Sequence, residues 1–134
     1  MPIAINGSGS ITGISAGGLP DGVITTDDLA STVPVAKAWV NFNGTGTVAI
    51  RASYNVSSIT DNGTGSYTVN FTTALADANY VFMCSATDDN TSARFGCELG
   101  TYGEYRTASV LRLRFFADSG SVNDVQGAYV SVFR

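Results

Sequence analysis

The 134-residue chain has no histidine, one lysine and one tryptophan, and charged residues make up only 13% of it. Without histidine, a Ser-His-Asp or Cys-His catalytic arrangement and a histidine-ligated zinc site are excluded. Eleven Asp and Glu against seven scattered Lys and Arg leave a formal net charge of −4. Nucleic-acid binding relies on clustered basic residues, so we expect no nucleic-acid partner.

Long apolar runs are also missing. No segment approaches the ~20 apolar residues of a membrane span, so we expect no membrane insertion. The first residues, MPIAIN, lack the basic and apolar regions of a signal peptide. Apolar residues nevertheless reach the usual share, at 44%. A chain with so little charge must cover itself with Ser, Thr, Asn and Gly, which suits close packing against copies of itself.

Alternation with period two is the main structural signal. Val48, Ile50, Ala52, Tyr54 and Val56 share one parity, and Tyr67, Val69 and Phe71 share another. Such alternation predicts strands with one buried face. The dipeptides Asn43-Gly44 and Asn62-Gly63 supply the positive φ of tight hairpin turns.

The fold class predicted is all-β: an antiparallel β-sandwich or squashed barrel of about seven strands. A Gly/Pro/Ser-rich stalk or neck segment, residues 1–36, precedes this unit, residues 37–134. The predicted strands are 37–43, 47–60 with a bend near Asn55–Ser57, 66–72, 80–87, 93–99, 107–117 and 127–133. The predicted core comprises Phe42, Tyr54, Tyr67, Phe71, Phe82, Phe95, Leu111, Leu113, Phe115 and Phe133.

If each of these seven strands reverses direction, the loops alternate between the two ends of the sandwich. Loops 44–46, 73–79 and 100–106 would then lie opposite the start of the first strand. Loops 61–65, 88–92 and 118–126 would lie beside that start.

Residues 38–80, AWVNFNGTGTVAIRASYNVSSITDNGTGSYTVNFTTALADANY, resemble the C-terminal part of tail-fibre proteins of tailed bacteriophages, especially those of marine and cyanobacterial hosts. The earlier NGSGSITGISAGGLPDGVITTDDLA is similar to the low-complexity segment that often precedes such tips. The resemblance implies a homotrimer, located in the virion, made in the host cytoplasm and joined to the remainder of the tail fibre. It names no receptor and brings no catalytic residues.

Cys84 and Cys97 fall on one face of a predicted hairpin, 80–87 with 93–99. In that hairpin Phe82 faces Leu99, Cys84 faces Cys97 and Ala86 faces Phe95. The two cysteines would then be close enough for a disulfide. Virion proteins assemble in a reducing cytosol, where buried thiols usually persist as small apolar fillers. Of the two alternatives, a disulfide or two free thiols packed in the core, we expect the free thiols.

Paired carboxylates are the remaining route to catalysis, as in glycosidases. Asp88, Asp89, Glu98 and Glu104 are the candidates, and Asp88-Asp89-Asn90 could also hold Ca²⁺. A depolymerase groove needs far more chain than this, and the calcium spacing is absent, so a solvated turn is favoured. Arg112 and Arg114 share one strand face, where a cross-strand carboxylate partner is favoured over a basic ridge. We expect no enzymatic activity, no cofactor and no metal site.

The predicted binding site is the loop GTYGEYR at 100–106, since tyrosine with glycine gains contact area at small entropic cost. The alternative is that one of its tyrosines caps the sandwich end. Trp39 is expected to pack at the base of the unit or between subunits. The candidate receptor-binding residues are Tyr102, Glu104, Tyr105 and Arg106, with Asn43, Asp77 and Asn79 as neighbours.

The predicted function is non-enzymatic recognition of a host cell-surface glycan or outer-membrane protein by a tail-fibre tip. The alternatives are a purely structural trimerisation, capping or tail-docking module and, less favoured, a polysaccharide depolymerase fragment.

Overall fold

A computed structural model describes residues 34–87, 95–99, 105–117 and 119–134. Pro34–Arg134 make up one compact unit. Of the predicted stalk segment, residues 1–36, the first 33 lie outside the described residues.

The described residues contain eight β-strands and no α-helix. Seven were predicted, because the two strands formed by residues 49–61 read as one in the sequence. The strands are β1 (Ala36–Asn43), β2 (Ala49–Tyr54), β3 (Val56–Asp61), β4 (Ser66–Phe71), β5 (Val81–Thr87), β6 (Phe95–Leu99), β7 (Val110–Ala117) and β8 (Gly127–Phe133).

The strands form two four-stranded sheets, in the orders β2-β1-β8-β5 and β3-β4-β7-β6. All neighbouring strands are antiparallel. Since the core lies between the two sheets, the molecule is a β-sandwich, as predicted. The predicted hairpin of β5 with β6 is wrong, because β5 pairs with β8 in one sheet and β6 pairs with β7 in the other.

The predicted bend at Asn55–Ser57 is confirmed, and it carries the chain from one sheet to the other. Asn55 has a φ of 54°, the left-handed conformation that asparagine tolerates better than most residues. Its side-chain amide donates to the carbonyl oxygens of Lys37, at 3.0 Å, and Thr73, at 3.1 Å. Its Oδ1 accepts a bond of 2.8 Å from the Thr73 amide. These bonds tie the crossover to the ends of β1 and β4.

This crossover reverses the predicted distribution of loops from residue 56 onward. Because β2 and β3 are two strands, the later connections that are described move to the opposite end, whereas loop 88–92 lies outside the described residues. Loops 44–48, 62–65 and 119–126 share the end where β1 finishes, as the 2.8 Å bond from the Gly44 amide to the Val125 carbonyl illustrates. We call this the Asn43 end.

The other end, where β1 begins, is called the Ala36 end. It holds loops 72–80 and 105–109, joined by bonds such as the 2.8 Å bond from the Leu75 amide to the Ala108 carbonyl. The prediction was therefore right for loop 44–46 and wrong for loops 73–79, 61–65 and 118–126. Of loop 100–106, the part that is described lies at the Ala36 end, contrary to prediction.

Inward-facing residues of β1, β4, β7 and β8 fill the core. Phe42 packs edge-to-face on Tyr67, with ring centroids 5.3 Å apart, and Phe115 joins them at 6.5 Å from Phe42. The predicted core residues Phe42, Tyr67, Phe71, Leu111, Leu113 and Phe115 are buried, and Phe82 packs at the core margin. The side chain of Phe95 lies outside the described set.

Two predicted core residues lie on the outside of the sheet instead. Tyr54 is 48% exposed, because a β-bulge at Arg51 gives β2 one extra residue against β1. This shift turns Ala52 and Tyr54 outward, although Val48 and Ile50 still pack against the core. Phe133 also faces outward, since its neighbour Val132 occupies the inward position at the end of β8.

Cys84 and Cys97 are joined as a disulfide, with their α-carbons 6.3 Å apart, so the expectation of free thiols was wrong. The predicted pairing of the two residues is correct, but its geometry differs. The bond links β5, an edge strand of one sheet, to β6, an edge strand of the other, and therefore joins the two sheets along one edge of the sandwich.

Candidate functional site

A hydrogen-bond network around the buried Tyr67 side chain organises the Asn43 end. The Tyr67 hydroxyl lies 2.7 Å from the Gly44 carbonyl oxygen and 2.8 Å from Oδ1 of Asp124. The Gly65 amide donates to the same carboxylate oxygen at 2.6 Å. Burial, followed by the Asp124 carboxylate, raises the pKa of Tyr67 well above its ordinary value, so the phenol stays protonated as a donor. Three loops are thereby joined to one core side chain.

Two glycines allow these loops to approach closely. A Cβ on Gly44 would lie 2.8 Å from the Val125 carbonyl oxygen. Gly65 has a φ of 62°, and its Cβ would lie 2.6 Å from the Asn123 carbonyl oxygen. Because those contacts are to backbone atoms, larger side chains would displace the loops.

The outer rim of the Asn43 end carries short polar side chains. The Asn43 amide donates to the Thr45 carbonyl at 2.6 Å, and the Thr45 hydroxyl donates back to Oδ1 of Asn43 at 3.0 Å. Asp61 Oδ1 accepts from the Gly63 amide at 2.8 Å. Exposed residues of the rim are Thr47, Asp61, Asn62, Thr64, Ser119, Ser121 and Asp124. Such hydroxyl, amide and carboxylate groups can form hydrogen bonds with a polar ligand.

At the Ala36 end, the predicted loop residues contact the sandwich itself. Arg106 donates to the Tyr80 carbonyl at 3.1 Å, and its guanidinium lies 5.6 Å from the Tyr80 ring centroid. The guanidinium of Arg112 lies 5.7 Å from the ring of Tyr105. Tyr105 and Arg106 therefore attach their loop to β7 and to Tyr80.

Tyr80 itself anchors this end. Its ring is buried, and its hydroxyl donates to the Val110 carbonyl at 2.9 Å. Burial raises the pKa of Tyr80 to about 12, with Arg106 acting in the opposite direction.

Asp77 pairs with Arg134 at the same end, and both side chains are partly exposed. The Asn79 amide also donates to Asp77, at 2.7 Å. The hydrogen bond from Arg134, and then the one from the Asn79 backbone, hold the pKa of Asp77 below its ordinary value. This pair closes the loop between β4 and β5 against the C-terminal residue.

The predicted receptor-binding set is thus divided. Tyr105, Arg106, Asp77 and Asn79 lie at the Ala36 end, whereas Asn43 lies at the opposite end. Tyr102 and Glu104 lie outside the described residues.

Among the candidate catalytic carboxylates, Glu98 forms an ion pair with Arg114 at 3.4 Å across the β6–β7 pair. This is the cross-strand partner predicted for that arginine. Asp88, Asp89 and Glu104 fall outside the description. Within residues 34–87, 95–99, 105–117 and 119–134, no group of three or more His, Cys, Asp or Glu side chains could hold a metal ion.

The sequence patterns did not identify Asp124 and Tyr80, which hold the loops at the Asn43 end and the Ala36 end, respectively. Asp124 stands in a polar loop with no neighbouring pattern, and its role depends on contacts 57 and 59 positions away. Tyr80 read as the first residue of a strand. Its burial, its bond to the Val110 carbonyl and its contact with Arg106 depend on residues about 30 positions away.

Comparison with protein-family models, with curated proteins and with solved structures finds no match for this chain. In the described part of the chain, no helix is long and apolar enough to cross a membrane.

Proposed function

We propose that this chain is a non-enzymatic recognition module at the tip of a bacteriophage tail fibre, which attaches the virion to the host cell surface. The resemblance of residues 38–80 to such fibres supports the assignment, and the β-sandwich fold is compatible with it. The proposed ligand is a host surface glycan or outer-membrane protein. The proposed assembly is a homotrimer joined to the rest of the fibre.

The observation that carries the proposal is the construction of the Asn43 end. Three exposed polar loops meet there, and the bonds of the buried Tyr67 side chain to Gly44 and Asp124 hold them in position. A preorganised loop loses little conformational entropy when it binds. This end also lies opposite the start of β1, so we move the proposed contact surface from the loop at 100–106 to these loops.

Recognition at such a rim would depend on hydrogen bonds from Thr, Ser and Asn side chains. In water, each such bond contributes only ~0.5–1.5 kcal/mol. One copy would therefore bind weakly. Several linked copies bind more tightly, because attachment of the first raises the effective concentration of the others.

The test is adsorption of the full chain to a panel of cyanobacterial cells, together with a glycan array. The double variant Thr47→Arg, Thr64→Arg adds bulk to two exposed positions of the Asn43 end. The comparison variant Tyr102→Ala, Tyr105→Ala removes both tyrosines of the loop first predicted as the site. Thermal melts verify that both variants are folded.

We expect the arginine variant to lose adsorption and the tyrosine variant to keep it. The reverse result would return the receptor site to loop 100–106. Adsorption by neither parent nor variants would contradict host recognition. Release of reducing ends from host polysaccharide would instead indicate a depolymerase.

A purely structural role is the second candidate, and one observation favours it. Tyr105 and Arg106 are engaged in contacts within the sandwich, so the described part of the tyrosine loop serves the fold. In that case the isolated chain would assemble with other tail proteins but would not distinguish susceptible from resistant cells.

A further inference from the structure

The outer faces of the two sheets differ in chemistry. On β3-β4-β7-β6 most outward side chains are polar, apart from Val110 and Phe116 on β7, and many of the polar ones bond to one another. Asn70 bonds Ser58 and Thr60 at 3.1 and 2.9 Å, and Arg114 pairs with Glu98. Several polar groups of this face therefore bond to one another within the chain.

The outer face of β2-β1-β8-β5, which we call the aromatic face, carries large apolar side chains among short polar ones such as Asn41, Ser85 and Ser131. Its most exposed large residues are Val81 and Met83 at 67%, Tyr54 at 48%, and Trp39 and Tyr129 at 39%. The register places Tyr54, Trp39, Ser131 and Met83 in one row across all four strands. A group of large exposed apolar residues on one sheet face marks an interaction surface, whereas single exposed apolar residues do not.

The charge of the chain limits what can cover this face. The net charge is −4, so two copies repel one another at long range. The strands β1, β2, β5 and β8 contain no acidic residue, and Lys37 and Arg51 are their only charges. The four acidic residues among those described, Asp61, Asp77, Glu98 and Asp124, lie on other strands or in loops. Copies can therefore meet through the aromatic face without opposing carboxylates.

The side chains on this face favour a protein partner over a sugar. Sugars stack on aromatic rings, but Val81 and Met83 are aliphatic and are the most exposed of the set. A shallow groove between β5 and β8, lined in part by Met83, Tyr129 and Phe133, gives the face the relief that an apolar side chain from a neighbour could fill. We propose that the aromatic face is the surface through which copies of this chain associate.

The size of the face predicts how strong this association is. Four strands ~4.8 Å apart, with about seven residues of ~3.3 Å each, cover about 19 × 23 Å, or ~440 Å². A stable interface uses ~800 Å² from each partner. Contact through this face alone is therefore weak and concentration-dependent. The association becomes stable where copies are held together by the rest of a fibre, and in this one respect the inference rests on the proposed function.

Sedimentation equilibrium of the full chain over a range of concentrations tests the proposal. The variant Trp39→Arg, Met83→Arg places two charges on the aromatic face. The matched control Thr60→Arg, Thr68→Arg places two charges at outward strand positions of the opposite sheet. We expect the parent and the control to associate with rising concentration, and the aromatic-face variant to remain at the mass of one chain.

Trp39 gives a second measurement without any substitution, since it is the only tryptophan. Its fluorescence emission should shift to shorter wavelength as association removes water from the face. The shift should be absent in a Met83→Arg variant.

A parent that remains a single chain with unshifted emission at every concentration would overturn the proposal, as would equal dissociation of both arginine variants. A single-chain parent whose aromatic-face variant loses cell binding would assign the face to a host ligand and overturn self-association. Loss of adsorption in the Thr47→Arg, Thr64→Arg variant with unchanged mass would instead concern host recognition alone.

Discussion

Replacement of Asn55 is the most direct test of the sheet-to-sheet crossover. The residue has a φ of 54°, and its side chain makes three hydrogen bonds, to the Lys37 carbonyl and to both backbone groups of Thr73. Asn55→Ala removes the bonds and forces alanine into the left-handed region. Asn55→Gly removes the same bonds without that strain, so the two substitutions separate the two contributions.

The magnitudes follow from these contacts. A hydrogen bond contributes ~0.5–1.5 kcal/mol to stability, and exposed bonds such as these lie in the lower part of that range. The three bonds together therefore contribute about 1.5–3 kcal/mol. The left-handed conformation costs alanine about 1 kcal/mol more than glycine. We therefore expect Asn55→Gly to lower the free energy of unfolding by about 1.5–3 kcal/mol and Asn55→Ala by about 1 kcal/mol more.

Urea unfolding at one protein concentration measures both values. The midpoint should fall in the order parent, glycine variant, alanine variant, with the slope unchanged. Asn62→Ala is the control, because Asn62 makes two side-chain bonds, at 3.3 and 2.9 Å, and has no positive φ. If Asn55→Ala costs no more than Asn62→Ala, the Asn55 side chain does not hold the crossover.

Three further outcomes are expected. Tyr67→Phe leaves the buried Gly44 carbonyl and the Asp124 carboxylate with one donor fewer, and it should cost about 1–3 kcal/mol in urea unfolding. Tyr129→Phe, at an exposed position, should stay within about 0.5 kcal/mol, and equal losses would contradict the buried network. Thiol titration of the denatured chain should find no free thiol before reduction and two after it, with reduction costing about 3 kcal/mol; two thiols beforehand would contradict the Cys84–Cys97 bond. Burial raises the pKa of Tyr80 from 10.0 to about 12, so the unfolded chain loses this proton first. Stability is then intact below about pH 10 and falls as pH rises toward about 12. Urea midpoints measured against pH would show this decline, and it should be smaller in Tyr80→Phe; an unchanged midpoint up to pH 12 would contradict it.

Much of the local structure could be read from the residues. The alternation of residue types in β4 and β7 correctly predicted five inward-facing residues, because large apolar side chains occupy every second position. These are Tyr67, Phe71, Leu111, Leu113 and Phe115. The slip in parity after Asn55 revealed the bend. It could not reveal that the bend changes sheets, since that depends on which distant strands β2 and β3 pair with.

The candidate site was harder to predict for the same reason. One uncounted reversal at Asn55 separated Asn43 from Asp77 and Asn79 by the length of the sandwich. One extra residue at Arg51 turned Tyr54 from the core to the surface. Neither event changes hydrophobicity or composition, so no local signal identified it.

The amino-acid sequence by itself determined an antiparallel β fold, its strand positions, most of its inward-facing residues and the absence of any histidine-based chemistry. These properties depend on side-chain type and on a period of two, which are local. Only the tertiary structure decided which loops share an end, how Cys84 meets Cys97 and which sheet face remains apolar. Those properties depend on strand pairing between distant residues, where one bulge or one crossover moves every later side chain to a different face or end.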